Sequence, residues 1–215
     1  KMRLQFMNNG DFYLTPEEDK ARIELVRRTI GPDKTLMVDM NCTWDLDDVL
    51  NAKEFFVQND IFMVEEPIRS DDTAGYIRLT KELGGIKVAG IESEQGVSRF
   101  AELIKADAMD VVQASLGWAG GFTGCRNIAS TAHAFNKLYT PHSFFSAVMT
   151  AANIQFAASQ VNIPFIEAEE NENPLRTELL KEPIETDEHM NYYITDKPGL
   201  GIELDLDVIE KYIIK

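Results

Sequence analysis

Short apolar runs alternate with longer amphipathic stretches along the whole chain, and this alternation restricts the fold more than any other feature. The runs are KMRLQF (1–6), TLMVDM (35–40), DIFMVEE (60–66), IKVAGIE (86–92), MDVVQAS (109–115), KLYTPH (137–142) and IPFIE (163–167). Each has the length of a strand, and helical patterns lie between them, near 46–58, 72–83, 97–106, 124–136 and 145–159. The first helix is clearly punctuated. Thr15 and Glu18 form a T-x-x-E capping box, Pro16 takes the first helical position and Gly31-Pro32 ends it. Strand and helix in strict alternation, with no Pro/Ser-rich linker, predict one α/β domain around a parallel sheet.

Acidic residues fall at the ends of these runs. Asp39, Glu65 and Glu92 each close one, 26 and then 27 residues apart, which is the length of one strand-helix unit. In a parallel barrel the C-terminal strand ends ring a single mouth, so these carboxylates are expected to converge. Unpaired, they would repel; a hard divalent cation relieves that, and oxygen donors without nearby Cys or His favour Mg2+ over zinc or copper. A single such acid reads first as a solvated strand end, and it is the set of three in register that favours the metal. Glu66, next to Glu65, points to the opposite face and reads as structural.

Composition narrows the partners. With 36 acidic against 21 basic residues the net charge is −15, which repels nucleic acid and anionic lipid and leaves a small molecule as the expected partner. Cys42 and Cys125 form no CxxC or disulfide framework. No apolar run approaches the roughly 18 residues of a membrane span, and no secretory cleavage site follows the first residues, so a cytoplasmic location is expected.

The segments VDMN (38–41), VEEP (64–67), GIESE (90–94), WAGGFTG (118–124) and TPH (140–142) together resemble the enolase superfamily, and within it the mandelate racemase subgroup. The resemblance implies a modified TIM barrel of the (β/α)7β type, in which Asp39, Glu65 and Glu92 bind Mg2+. It also implies abstraction of a proton α to a carboxylate, giving an enediolate held by the metal. Residues 1–215 then correspond to an enolase-like C-terminal barrel that begins at the second barrel strand. The first strand and the N-terminal α+β capping domain have no counterpart, and residues 198–215 return toward that domain. A homo-oligomer is expected.

Such an α-proton is very weakly acidic, so its removal needs concentrated positive charge facing the intermediate. Lys1 and Arg3, two apart on one strand face, resemble the family's K-x-K motif. Arg3 stands where that motif has its base; a guanidinium stays protonated and fits gripping a carboxylate. Lys1 is a base only if neighbouring cations lower its pKa, and the pair also reads as exposed basic residues at a strand end. His142, in TPH, matches the family's catalytic histidine, a support that His133 and His189 lack. The aspartate that usually pairs with that histidine is replaced by Ser115, which carries no charge, so a less elevated imidazole pKa is expected. Glu167 matches a glutamate that donates a hydrogen bond to the substrate carboxylate, a role needing a protonated acid; EAEENE (167–172) also reads as a solvated acidic loop. Asn41 and Ser115 are candidate substrate contacts.

The expected activity is Mg2+-dependent dehydration of a sugar acid, with His142 delivering a proton to the departing hydroxyl. A racemase or epimerase with Lys1 as opposing base is the alternative within the same chemistry. The Arg3 and Ser115 departures also allow a metal-binding barrel that has lost catalysis.

Overall fold

The computed structural model describes residues 1–4, 7, 8 and 12–214. Six strands form one parallel sheet in the order β1 (Met2–Arg3), β4 (Leu36–Asp39), β5 (Ile61–Glu65), β6 (Lys87–Gly90), β7 (Val111–Val112) and β8 (Leu138–Tyr139). A separate antiparallel hairpin joins β2 (Met7–Asn8) to β3 (Phe12–Tyr13). Between these strands the sequence carries Asn9-Gly10, a pair that favours hairpin turns. Residues 5 and 6 of the first predicted run lie outside the described residues.

Helices follow the strands as the alternation predicts: α1 (Pro16–Ile30), α2 (Leu46–Asn51) and α3 (Lys53–Gln58), α4 (Thr73–Glu82), α5 (Val97–Lys105), α6 (Gly121–Ala134) and α7 (Ala147–Ala158). A short α8 (Pro174–Thr177) and a terminal α9 (Leu206–Tyr212) complete the order. At α1 both halves of the capping box are made: Thr15 accepts from the Glu18 N–H, and Glu18 accepts from the Thr15 N–H at 2.8 Å. The entry to α6 is tighter. Gly120 has φ 93°, and a Cβ on Gly124 would sit 2.0 Å from the Ala119 carbonyl oxygen, so only glycine fits there.

Strand alternation divides the core. Val38, Val64, Val88, Val112 and Tyr139 point outward into a cluster with Ile23, Phe56, Leu79, Phe100 and Ile128 from the helices. Met63, Ala89 and Val111 point inward and meet Met37, Leu138 and Phe165. The sheet curls far enough for its two ends to meet, because Lys1 beside β1 reaches Glu167 beyond β8 with 2.5 Å between Nζ and Oε1. This is the expected barrel-type α/β architecture. One predicted strand is absent: IPFIE carries no strand assignment, although Phe165 still fills the inner cluster. Pro164 removes an amide donor from the middle of that run, and its link to β8 is the Tyr139 N–H donating to Asn162 at 2.9 Å.

Candidate active site

Each inner residue is followed, two positions on, by one at the mouth. Asp39 follows Met37 and Glu65 follows Met63, and register pairs Arg3 with Asp39 and Asp39 with Glu65. Glu65 pairs in turn with Ala89, so Glu92 lies three residues beyond that position. The extra residue is absorbed by a kink: Gly90 has φ 140° and Ile91 has φ 62°, Ile91 turns into the outer core, and Glu92 comes round to the mouth. The interval of 27 after one of 26 reflects this bend.

Lys1 is the cation around which the acids gather. Its Nζ lies 2.6 Å from both oxygens of Glu65, 2.5 Å from Glu167 and 3.8 Å from Asp39. Burial works against the ammonium, but these three carboxylates outweigh it and hold the Lys1 pKa above its ordinary value. A lysine acting as base would need the opposite shift. Burial pushes the Glu65 carboxyl up to about 8; Lys1 pulls against this, and Glu167 and Asp39 add to it. Asp39 is raised in the same way by burial, against Lys1 and the Asn41 N–H. With three acids around one ammonium in a confined space, retention of a proton within the group is the expected outcome.

His142 forms the second centre. Its Nδ1 lies 2.8 Å from Glu92 and 3.2 Å from Glu167, at ion-pair distance but off the direction of a hydrogen bond. Burial opposes the imidazolium, yet Glu167 and Glu92 together raise the His142 pKa to about 10. This corrects the expectation of a less elevated value. Ser115 indeed brings no charge, but two glutamates supply it from other strand ends. Glu167 also departs from expectation: burial would raise its carboxyl, whereas His142 and Lys1 hold it down to about 2, and it accepts the Ser143 N–H at 2.7 Å. Ionised, it accepts hydrogen bonds and has none to donate.

The other candidates are spread around this pair. Arg3 donates to Asn41 Oδ1 at 2.9 Å, and the Asn41 N–H donates to Asp39 at 3.0 Å. Asn41 has φ 48°, so a turn just past the strand places it rather than strand alternation. Ser115 is fully buried and its hydroxyl accepts the Gly117 N–H at 3.2 Å, in the turn that follows β7. Glu66 is buried behind the mouth and accepts from Ser70 at 3.3 Å, as the structural reading requires. The same alternation turns two further residues inward that sequence reasoning passed over, Gln113 after Val111 and Thr140 after Leu138. The available signal was a polar residue two places past an inner apolar one. A cavity of about 880 Å³ between α7 and the C-terminal segment, lined by Ile154, Tyr193, Lys197 and Glu203, includes none of these residues.

The donor set of Asp39, Glu65 and Glu92 is all oxygen, which suits Mg2+ in chemistry. Its arrangement is a different matter. Among the described residues no three His, Cys, Asp or Glu side chains are placed to share one ion. Asp39 and Glu65 converge on Lys1 while Glu92 is turned to His142, so a shared ion needs Lys1 and His142 to release them. Likewise, no helix among the described residues is long and apolar enough to cross a membrane.

Residues 1–208 match the family model described as enolase C-terminal domain-like. Arabinonate dehydratase from Saccharolobus solfataricus is 31% identical over 199 residues, which are 93% of this chain and 52% of that protein. The crystal structure of the 3,6-anhydro-D-galactonate cycloisomerase from Zobellia galactanivorans superposes with a TM-score of 0.87 at 30% identity, covering 94% of this chain and 57% of that one. A racemase from Streptomyces coelicolor with bound magnesium gives 0.81 at 26% identity, covering 92% and 52%. The chain spans about half the length of the curated relatives it matches. It belongs to the enolase C-terminal domain-like family, within the enolase superfamily.

Proposed function

We propose that this chain carries the catalytic mouth of a Mg2+-dependent dehydratase acting on a sugar acid. The observation that carries the reading is the position of His142, a buried imidazole flanked by Glu92 and Glu167 on the same mouth as Asp39, Glu65 and the cations Lys1 and Arg3. Mg2+ held by Asp39, Glu65 and Glu92 would supply Lewis-acid stabilisation of the enediolate.

Lys1 and Arg3 set positive charge against the substrate carboxylate. Glu92, engaged elsewhere, no longer favours the imidazolium, and His142 falls toward the range in which it can accept the α-proton. The C2–H bond breaks, the proton passes to the imidazole, and the same imidazolium returns it to the hydroxyl leaving C3. Water departs, and the resulting enol becomes the 2-oxo-3-deoxy acid. One acid/base group serves both transfers in a syn elimination. A racemase would need a second competent base on the opposite face of the substrate carbon. With a ring oxygen as leaving group the same transfers would open a cyclic acid, in keeping with the name of the Zobellia relative. The reading takes the chain as the barrel portion of a longer protein, residues 198–215 leading toward a capping domain, and the half-length span of its relatives supports this.

The test is to assay a panel of sugar acids with Mg2+, then repeat with His142→Asn. The expected loss is about 10²- to 10⁴-fold in kcat. Undiminished turnover of a good substrate would refute the role given to His142.

A further inference from the structure

Among the polar residues facing the mouth, Gln113 and Thr140 stand apart. Asp39, Glu65 and Glu167 satisfy one another through Lys1 and backbone N–H groups. Gln113 and Thr140 are fully buried, and among the described residues Gln113 Nε2, Gln113 Oε1 and Thr140 Oγ1 have no hydrogen-bond partner. Asn153 and Arg176 Nε share this lack of a partner but belong to α7 and α8, not to the inner wall, and His142 Nδ1, also without a hydrogen bond, is held at ion-pair distance by Glu92 and Glu167. The pair is adjacent: β7 and β8 run in register at Val112 and Tyr139, and the Thr140 N–H donates to Val112 at 2.9 Å, so the next residues on each strand are Gln113 and Thr140. His142 is two residues beyond Thr140 on the same segment.

Buried amide and hydroxyl groups are costly to leave unpaired, and their chemistry limits what can pair them. The amide offers donors and an acceptor, and the threonine hydroxyl offers one of each kind. A carboxylate only accepts and a cation pairs only with oxygens, so neither satisfies both groups. A hydroxyl, which donates and accepts, does. We propose that Gln113 and Thr140 are a specificity pair that receives a hydroxyl of a polyhydroxylated acid, on the β7–β8 side of the mouth beside His142. They are neutral and can read a hydroxyl without repelling the substrate carboxylate. The inference rests on the sugar-acid reading and deepens it.

The experiment uses Gln113→Leu and Thr140→Val, which remove the polar atoms at similar volume, with kcat/KM measured for the best sugar acid from the panel and for its monodeoxy analogues. Wild type should discriminate against one analogue by roughly tenfold or more. Each variant should lose that discrimination by falling on the sugar acid alone, with a melting midpoint unchanged or raised, since an unpaired buried polar group has been replaced. Equal losses on both acids, unchanged kinetics, or a lowered midpoint with retained discrimination would overturn the pair as a hydroxyl reader and leave a structural or water-binding role. A wild type inert toward every acid would instead defeat the dehydratase reading, and this inference with it.

Discussion

Replacing Glu167 by Gln removes one charge from the centre of the site while keeping its shape. Glu167 lies 3.2 Å from His142 Nδ1 and 2.5 Å from Lys1 Nζ. His142 is raised from 6.5 to about 10, which at about 1.36 kcal/mol per pH unit is on the order of 5 kcal/mol favouring the imidazolium in the folded protein. Glu167 and Glu92 both act in that direction against burial, so neutralising one should remove at least half of the shift and bring the His142 midpoint well below 10, back toward its ordinary range. The folded value stands above the ordinary one. The contribution to stability is therefore complete below pH 6.5 and is lost as pH rises through about 10. Wild type should thus lose stability across that window, and Glu167→Gln should lose less. NMR titration of the imidazole signals in chelator-treated protein measures this directly, since the chain has only 3 histidines. A wild-type His142 titrating at or below 6.5, or a midpoint unmoved by Glu167→Gln, would refute the reasoning.

Gly124→Ala should lower stability by about 3 kcal/mol or more, read by thermal unfolding, because its Cβ would meet backbone at 2.0 Å from Ala119 O. Thr15→Ala breaks the capping box of α1 and should cost about 0.5–2 kcal/mol in a denaturant titration. Phe156→Ala empties a buried site whose ring packs 5.6 Å from Tyr139, and should cost about 3–5 kcal/mol by the same titration.

The order of elements was legible because one period governs it. Apolar runs of strand length and amphipathic stretches of helix length are local patterns, and the packing that follows bears them out from Leu36–Asp39 to Ala147–Ala158. IPFIE failed as a strand because a local pattern does not reveal whether a ladder partner is available, and Pro164 reduces the bonds it can make. At the site, residue types were legible but their pairings were not. The spacing of Asp39 and Glu65 is in register, whereas Glu92 reaches the mouth through the Gly90–Ile91 kink, a backbone conformation no periodicity encodes. The elevated His142 pKa depends on Glu92 and Glu167, which are 50 and 25 residues away in sequence. Gln113 and Thr140 escaped notice because their significance is an unmet hydrogen bond, visible only once the surrounding partners are placed.

The central claim is that this mouth removes the proton α to a sugar-acid carboxylate with the help of a magnesium ion. Incubating the protein with a panel of aldonates and Mg2+ in D2O, and following C2 and C3 by NMR, tests it directly. The account predicts a 2-oxo-3-deoxy product with solvent deuterium at C3, abolished by EDTA and restored by Mg2+. Aldonates recovered intact and fully protonated at C2, with Mg2+ present, would contradict it.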